Sequence, residues 1–388
     1  MDNLTHSLVG ATLAELALPA GASRATRRTF FIAGVVAANL PDADLVYTWI
    51  TPAPLGSLLH HRGHTHTIVG LAVLGLAMAA IWMLPSLRDA VGPLRRRFWA
   101  LLAIALASHL VLDSWNSYGV HPFWPVSSRW FYGDAVFIME PWLWLLLGTA
   151  ATLNAVSRLG HVLLGGMLTL LAGGAVFVRM LPVTGLVVTA ACAIVLGLVM
   201  RRWTPHRRAA TALALALTFV AGSFVIRGVV RAKVLASGSS AVRPQVVDLI
   251  LSPRGGNPLC WSVMSVVRDE PAGSYQLTRG DVAVLARSAC GSAHASDVVW
   301  GEASVHSLPQ LRALYRADCW VRGWMQFGRA PAVADGAIAD LRYGNSVRGN
   351  FTTMVLRPPA EAARCPANLT AWRPPRADLL GEEFERAR

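Results

Sequence analysis

Apolar runs dominate the chain up to about Val229, and short segments carrying arginine, proline or clustered polar residues separate them. Eight runs predict eight helices: residues 3–18, Arg28–Leu40, Thr67–Leu84, Phe98–Trp115, a run opening at Pro141, His161 to about Met180, Pro182–Met200, and about Ala209–Val229. A helix crossing a bilayer core needs roughly 20 predominantly apolar residues, and most of these runs approach that length. The second is shorter and stops at Pro41, which disfavours helix in the residue before it. It is expected to dip only partway, leaving Asp42 and Asp44 below the outer surface. The first run has no basic n-region and no small-residue cleavage pattern, so it is not read as a cleaved signal peptide. Pro141 suits the first turn of the fifth helix, with Glu140 beside its N-terminus.

The pattern changes after Lys233. Ala236-Ser237-Gly238-Ser239-Ser240 reads as a linker, and the remaining ~150 residues are enough for one soluble domain. Trp261–Val267 and Val282–Ala286 have strand composition, Arg279-Gly280-Asp281 is a candidate hairpin turn, and Leu308–Phe327 reads as one helix. The fold class is therefore an α-helical polytopic membrane protein of about eight membrane helices with a C-terminal soluble α+β domain. The expected division is 1–233, with the site core in 1–145, and 234–388.

Composition agrees with the membrane class: 54% of residues are hydrophobic, 15% are charged, and the mean hydropathy is +0.44. The net charge of +13 raises the question of nucleic acid, but the arginines argue against it. Arg24, Arg27, Arg28, Arg88, Arg95, Arg96, Arg97, Arg158, Arg201, Arg202, Arg207 and Arg208 all fall in loops between apolar runs. Such arginines set orientation, so nucleic acid is not an expected partner and the bilayer is. With Met1 outside, all these loops lie on one side, the cytoplasmic one. The opposite, extracytoplasmic face then receives every polar cluster and the C-terminal domain. The protein is expected in a bacterial inner membrane.

Those clusters hold the chemistry. Of the eight acidic residues up to Lys233, five are Asp42, Asp44, Asp113, Asp134 and Glu140; seven of the eleven histidines lie between His6 and His121. Any one of them alone is an ordinary core residue or helix cap, but their concentration in a carboxylate-poor region is not. His109 and Asp113, four apart in the fourth run, share a helix face. Histidine with carboxylate suits zinc, and also manganese or iron. The candidates His6, Asp42, Asp44, His61, His66, His109, Asp113, Asp134 and Glu140 exceed one tetrahedral site. Two or three divalent ions sharing a bridging aspartate fit them better, as in phosphoester hydrolysis. Arg62 is placed either to stabilise a phosphate oxygen or to pair with a site carboxylate, and Asp42, Asp44 or Glu140 is the candidate general base. His60 and His64 read as bystanders. Cys260, Cys290, Cys319 and Cys365 in the tail suit two disulfides with three possible connectivities, against four buried free thiols; Cys192 reads as packing.

Met1-Asp2-Asn3-Leu4-Thr5-His6, Pro41-Asp42-Ala43-Asp44, His61-Arg62-Gly63-His64-Thr65-His66-Thr67, Ser108-His109-Leu110-Val111-Leu112-Asp113 with Tyr118-Gly119, and Ile138-Met139-Glu140-Pro141 occur in this order. Over the first ~145 residues, a span of domain size, this resembles the YdjM-type membrane-bound metal-dependent hydrolases. Asp340-Leu341-Arg342-Tyr343-Gly344 is similar, more weakly, to longer members. The family is in turn distantly similar to zinc-dependent phospholipase C. The resemblance implies His6, Asp42, His61 or His66, His109 and Asp113 as direct zinc ligands. Glu140 stands where the family usually has aspartate, and His121 is extra.

The function expected is a metal-dependent hydrolase of a phosphoester in a lipid or lipid-linked substrate at the outer face. The alternatives are a proton- or ion-coupled transporter, and a metal-stabilised structural or sensory protein whose tail binds a protein partner. The orientation is directly testable. A reporter active only outside the cytoplasm is expected to be active when fused after Ser240 and silent within the Arg201–Arg208 loop; the opposite pattern overturns it.

Overall fold

The computed structural model describes residues 1–83, 91–155, 157–177, 183–237, 241, 246–285, 290 and 298–381. All eight apolar runs form helices. They are α1 (Asn3–Ala17), α2 (Arg24–Asn39), α4 (Ile68–Trp82), α5 (Arg95–Asp113), α6 (Pro141–Asn154), α7 (Arg158–Phe177), α8 (Val183–Met200) and α9 (Pro205–Ala236); a short helix α3 (Leu55–His60) precedes α4. The expected ends at Leu84, Met180 and Pro182, together with Arg88 and Gly238–Ser240, lie outside the described residues.

Local chemistry sets the boundaries. Asp2 caps α1 through the Thr5 amide, Ser23 caps α2 through Thr26, and Thr67 caps α4 through Gly70. Past Pro41 the chain continues as a 3-10 segment, Leu40–Ile50, so α2 and this segment form one helical stretch of 27 residues. α1 and α2 pack closely because both are glycine at the crossing: a Cβ on Gly10 would lie 2.4 Å from the Gly34 carbonyl oxygen.

By length and composition, three stretches among the described residues can cross a membrane: Arg24–Ile50, Arg158–Phe177 and Pro205–Ala236. Leu55–His66 and Ile68–Trp82 together make a fourth, bent by 69°. α1 and α6 have only 15 and 14 residues, and α5 opens on three arginines and closes on Asp113. All eight apolar runs are therefore helical, while among the described residues fewer than eight helices meet the crossing criteria by themselves.

The C-terminal region is a β-sheet domain. β1 (Val246–Arg254), β2 (Asn257–Asp269), β3 (Ser274–Ala283) and β4 (Val298–Ser307) form an antiparallel meander. β5 (Pro331–Ala334), β6 (Ala337–Asp340) and β7 (Met354–Val355) form a second sheet. Two sequence expectations are corrected here. Arg279-Gly280-Asp281 lies inside β3, opposite Met264, Val263 and Ser262, and the hairpin turns at Glu270–Gly273, where Gly273 takes φ +62°. Leu308–Phe327 is two helices, α10 (Leu308–Ala317) and α11 (Cys319–Met325), because Asp318 turns its carboxylate to cap the second. Two disulfides join Cys260 to Cys290 and Cys319 to Cys365; Cys192 is free and exposed rather than packed.

The β-sheet domain is docked on the helices. One hydrophobic core joins Leu55, Leu58, Leu59 and Trp130 to Trp324, Phe327 and Trp372. Trp130 donates to the Gln326 carbonyl at 2.8 Å, and Trp372 to that of Leu59 at 2.9 Å. Arg329 of the tail bonds both oxygens of Asp134, each at 2.8 Å, and both oxygens of Asp248, at 2.7 and 3.2 Å. It lies over the Tyr132 ring at 4.0 Å. Burial raises the Asp248 carboxyl, but Arg329 and Arg376 outweigh it and hold the group at about 2. Its stabilising effect is thus present above the ordinary carboxyl value and fades as pH falls through about 2.

Replacing one member of this buried network exposes its worth. Arg329→Met leaves Asp134 without its bidentate partner and is expected to destabilise the purified protein by about 3–5 kcal/mol in denaturant unfolding. Arg329→Met with Asp134→Asn and Asp248→Asn is expected to recover part of that loss. A single variant indistinguishable from wild type would show that the network does not hold the domains together.

Candidate metal centre

Four stretches of the helical region deliver ligand atoms to one point. α5 carries His109 and Asp113 one turn apart. The 3-10 segment after α2 carries Asp42 and Asp44 on its buried side. His66 ends the short 3-10 turn before α4, and His6 projects from α1. All six are buried.

Four donor atoms, from Asp42, His66, His109 and Asp113, lie within 4.8 Å of one another and could hold an ion. His66 Nε2 and His109 Nε2 stand 3.0 Å apart. Asp42 Oδ1 lies 3.4 and 3.5 Å from them, and Asp113 Oδ2 3.2 and 3.6 Å. A tetrahedral ion with ligands at 2.0–2.1 Å has ligand–ligand edges of roughly 3.3 Å, so these four atoms are spaced as its ligands would be. Asp113 Oδ2 is buried and has no hydrogen-bond partner among the described residues. The imidazoles are held from behind. His109 Nδ1 lies 2.6 Å from the Ala38 carbonyl oxygen and therefore donates to it, which leaves Nε2 as a lone pair facing the cluster. His66 Nδ1 faces Thr65 Oγ1 at 3.0 Å and Asp44 Oδ2 at 3.2 Å.

A second group consists of Asp42, Asp44 and His61. His61 Nδ1 is 3.1 Å from Asp44 Oδ1 and 4.0 Å from Asp42 Oδ1. Its side chain is 24% exposed, and it is the cluster's member toward solvent. Asp44 Oδ2 accepts from the Arg62 amide and Thr65 Oγ1. Asp42 belongs to both groups.

Arg62 is buried at a backbone φ of +59°, a conformation that tight turns impose on few side chains other than glycine. The turn aims its guanidinium at Asp113 Oδ1, 3.0 Å away, and at Asn116 Oδ1, 3.2 Å away, above the Tyr118 ring. The carboxylate pairing considered for Arg62 is thus present, and Nε has no partner among the described residues. His6 stacks on His109 with ring centroids 3.8 Å apart, and its Nε2 lies 3.3 Å from Asp113 Oδ1. The Met1 amine also meets Asp113 Oδ1.

Asp134 and Glu140 are not brought into either group. Asp134 is engaged by Arg329. Glu140 caps α6 at Trp142 and accepts from the Gly256 amide; burial pushes its carboxyl up to about 8 against those two backbone donors. His60 bonds Thr51 Oγ1 at 2.8 Å, and His64 lies between Trp124 and Trp372. His121 packs against Trp372, and burial pushes its imidazole down to about 3. Among the residues that complete the site, Thr65 was visible inside a motif. The Ala38 carbonyl carries no signal, since a backbone group bears no residue identity.

Residues 1–203 match the family described as YdjM inner membrane protein. The chain is 31% identical to inner membrane protein YbcI of Escherichia coli (strain K12) over 134 residues, covering 33% of this chain and 68% of that protein. It is 27% identical to protein YfhP of Bacillus subtilis (strain 168) over 148 residues, covering 37% of this chain and 43% of that protein. The chain thus spans less than half the length of YfhP. No solved structure matches it.

Metal content of the purified protein tests the centre. His109→Ala is expected to remove at least one bound ion per chain, and Asp42→Asn, which touches both groups, to remove the most. His121→Ala is expected to retain the wild-type content. Equal metal in all four proteins, read by elemental analysis, would show that the cluster is held by its own hydrogen bonds.

Proposed function

From membership of the YdjM inner membrane protein family, to which the chain belongs, we propose that this protein is a metal-dependent hydrolase of a phosphoester in a lipid or lipid-linked substrate, working at the outer face of the membrane. The observation that carries the reading is the pair of donor groups sharing Asp42: Asp42, His66, His109 and Asp113, and Asp42, Asp44 and His61. Two neighbouring ions with a common carboxylate are the arrangement that phosphoester hydrolysis uses. Zinc suits the histidine and carboxylate donors, with manganese or iron as alternatives, and two or three ions are proposed.

When bound, the ions would polarise the phosphoryl group and lower the pKa of the attacking water. The rest falls to the chain. Of the candidate bases, Asp44 already accepts from four directions and Glu140 lies outside the cluster. His61, whose Nδ1 lies 3.1 Å from Asp44, would hold the second ion on the partly exposed side. Arg62 neutralises Asp113 and offers its free Nε–H to a phosphoryl oxygen. The proposal includes eight membrane helices, with the site and the C-terminal domain outside the cytoplasm. The two disulfides of that domain suit an oxidising side.

The test is turnover. The metal-loaded protein is expected to release phosphate or a phosphorylated headgroup from at least one member of a phosphoester lipid panel. Chelation and His109→Ala are each expected to lower the rate at least a hundredfold, a typical effect of losing a polarising or acid–base group. Retained metal with no turnover on the panel would sink the hydrolase reading. A metal-dependent unfolding midpoint would then favour the structural alternative, and metal-dependent proton flux in vesicles the transporter.

A further inference from the structure

One segment of the tail domain, Asp340-Leu341-Arg342-Tyr343-Gly344, lies against the loop after α5 that supports Arg62. Asp340 and Arg342 form a buried pair there at 2.8 Å, and the Asp340 carboxylate also accepts the Arg329 amide. Arg342 Nη1 donates to the Ser117 carbonyl at 2.7 Å. Ser117 lies between Asn116, whose Oδ1 accepts from Arg62, and Tyr118, whose ring underlies the Arg62 guanidinium at 4.6 Å. Arg342 therefore grips the loop that carries the supports of Arg62.

Around that loop several buried polar atoms are left unmatched, Asp113 Oδ2 among the acceptors. Three buried donors have no partner among the described residues: Arg62 Nε, Asn116 Nδ2 and the Tyr343 hydroxyl. The orientation of Asn116 is determined, because its Oδ1 accepts from both Arg62 Nη1 and the Tyr118 amide, so Nδ2 is the end left over. Tyr343 stands 6.1 Å from the Tyr118 ring, and burial pushes its phenol up to about 12 although the Arg342 and Arg62 charges oppose this. Buried donors are normally satisfied, so three unmatched ones on and beside the loop that supports Arg62 call for an acceptor that the described residues do not supply.

We infer that the C-terminal domain completes the centre: Tyr343, with Asn116 and Arg62, forms an oxyanion pocket at the domain interface that binds the phosphoryl group of the ligand. The domain is then a wall of the site, not an independent module. This rests on the phosphoester reading and names residues for its substrate pocket. A phosphoryl group is tetrahedral and bears several acceptor oxygens, so it can meet these donors while another oxygen faces the Asp42 cluster.

Tyr343→Phe removes one oxygen and leaves the ring. The experiment uses the metal-loaded full chain, titrated with inorganic phosphate in detergent and, in a second arm, with phosphate after reconstitution in phosphatidylcholine nanodiscs with or without phosphatidic acid. Wild type is expected to bind phosphate, and Tyr343→Phe about tenfold or more weakly, the loss of a hydrogen bond to a charged group. Metal content is expected to be unchanged, and the unfolding midpoint unchanged or raised, since the lost hydroxyl had no partner. Competition by phosphatidic acid would identify a lipid headgroup as the source of the phosphoryl group, and its absence free phosphate; both support the pocket. Equal phosphate affinity in the two proteins, or a Tyr343→Phe chain that unfolds at lower temperature with unchanged affinity, overturns it. A metal-loaded wild type that binds phosphate in neither arm overturns the phosphoester reading as well.

Discussion

Three aspartates buried close together are the constraint around which the helical region is built. Asp42, Asp44 and Asp113 cannot remain charged in a low-dielectric interior unless each is matched by cationic or donor groups. Arg62 serves Asp113, and its own amide with Thr65 serves Asp44. His66 and His109 face the oxygens that remain. The irregular features of the fold answer to this demand. The 3-10 segment after α2 keeps both Asp42 and Asp44 on the buried side. The positive φ at Arg62 turns the guanidinium inward, and the 69° bend before α4 brings His66 back to the cluster.

The second demand comes from the loop following α5, which supports Arg62 without being part of a helix. It is held from outside, by arginines of the β-sheet domain. Arg342 binds the Ser117 carbonyl and Arg329 binds Asp134, whose amide contacts the Asn116 carbonyl. Aromatic rings fill the space between, with Tyr118, Trp130 and Phe327 in contact. Loss of docking would therefore be felt at Arg62 before it was felt in the helices, which pack on one another independently. α1 is central to that packing, since it meets α2, α5, α6 and α9.

Much of this was legible along the chain. Helix periodicity alone puts His109 and Asp113 on one face, and the apolar runs mark each of the eight helices. The family resemblance implied His6, Asp42 and either His61 or His66 as their companions. What failed to read correctly was local geometry under tertiary control. Pro41 looks like a stop, yet proline is tolerated in the first turn of the 3-10 segment it opens. Arg279-Gly280-Asp281 has turn composition but sits in a strand, where Arg279 reaches the Leu341 and Gly344 carbonyls. Leu308–Phe327 has helical composition throughout, but Asp318 finds two free amides to cap and divides it.

The sequence by itself determined the class of the protein, its helix inventory, and the ligand types concentrated in its first half. These depend on composition and on periodicities of a few residues, which are short-range properties of the chain. Tertiary structure alone decided which ligands converge. Asp134 and Glu140 have the same chemistry as Asp42 and Asp44, but Arg329 and the α6 amides claim them first. It alone decided that Asp42 is shared, and that Tyr343, far along the chain, lies near the Tyr118 ring that underlies Arg62. The physical reason is that a carboxylate or hydroxyl acts through whatever lies within a few ångströms, and for these residues those neighbours come from segments remote in sequence.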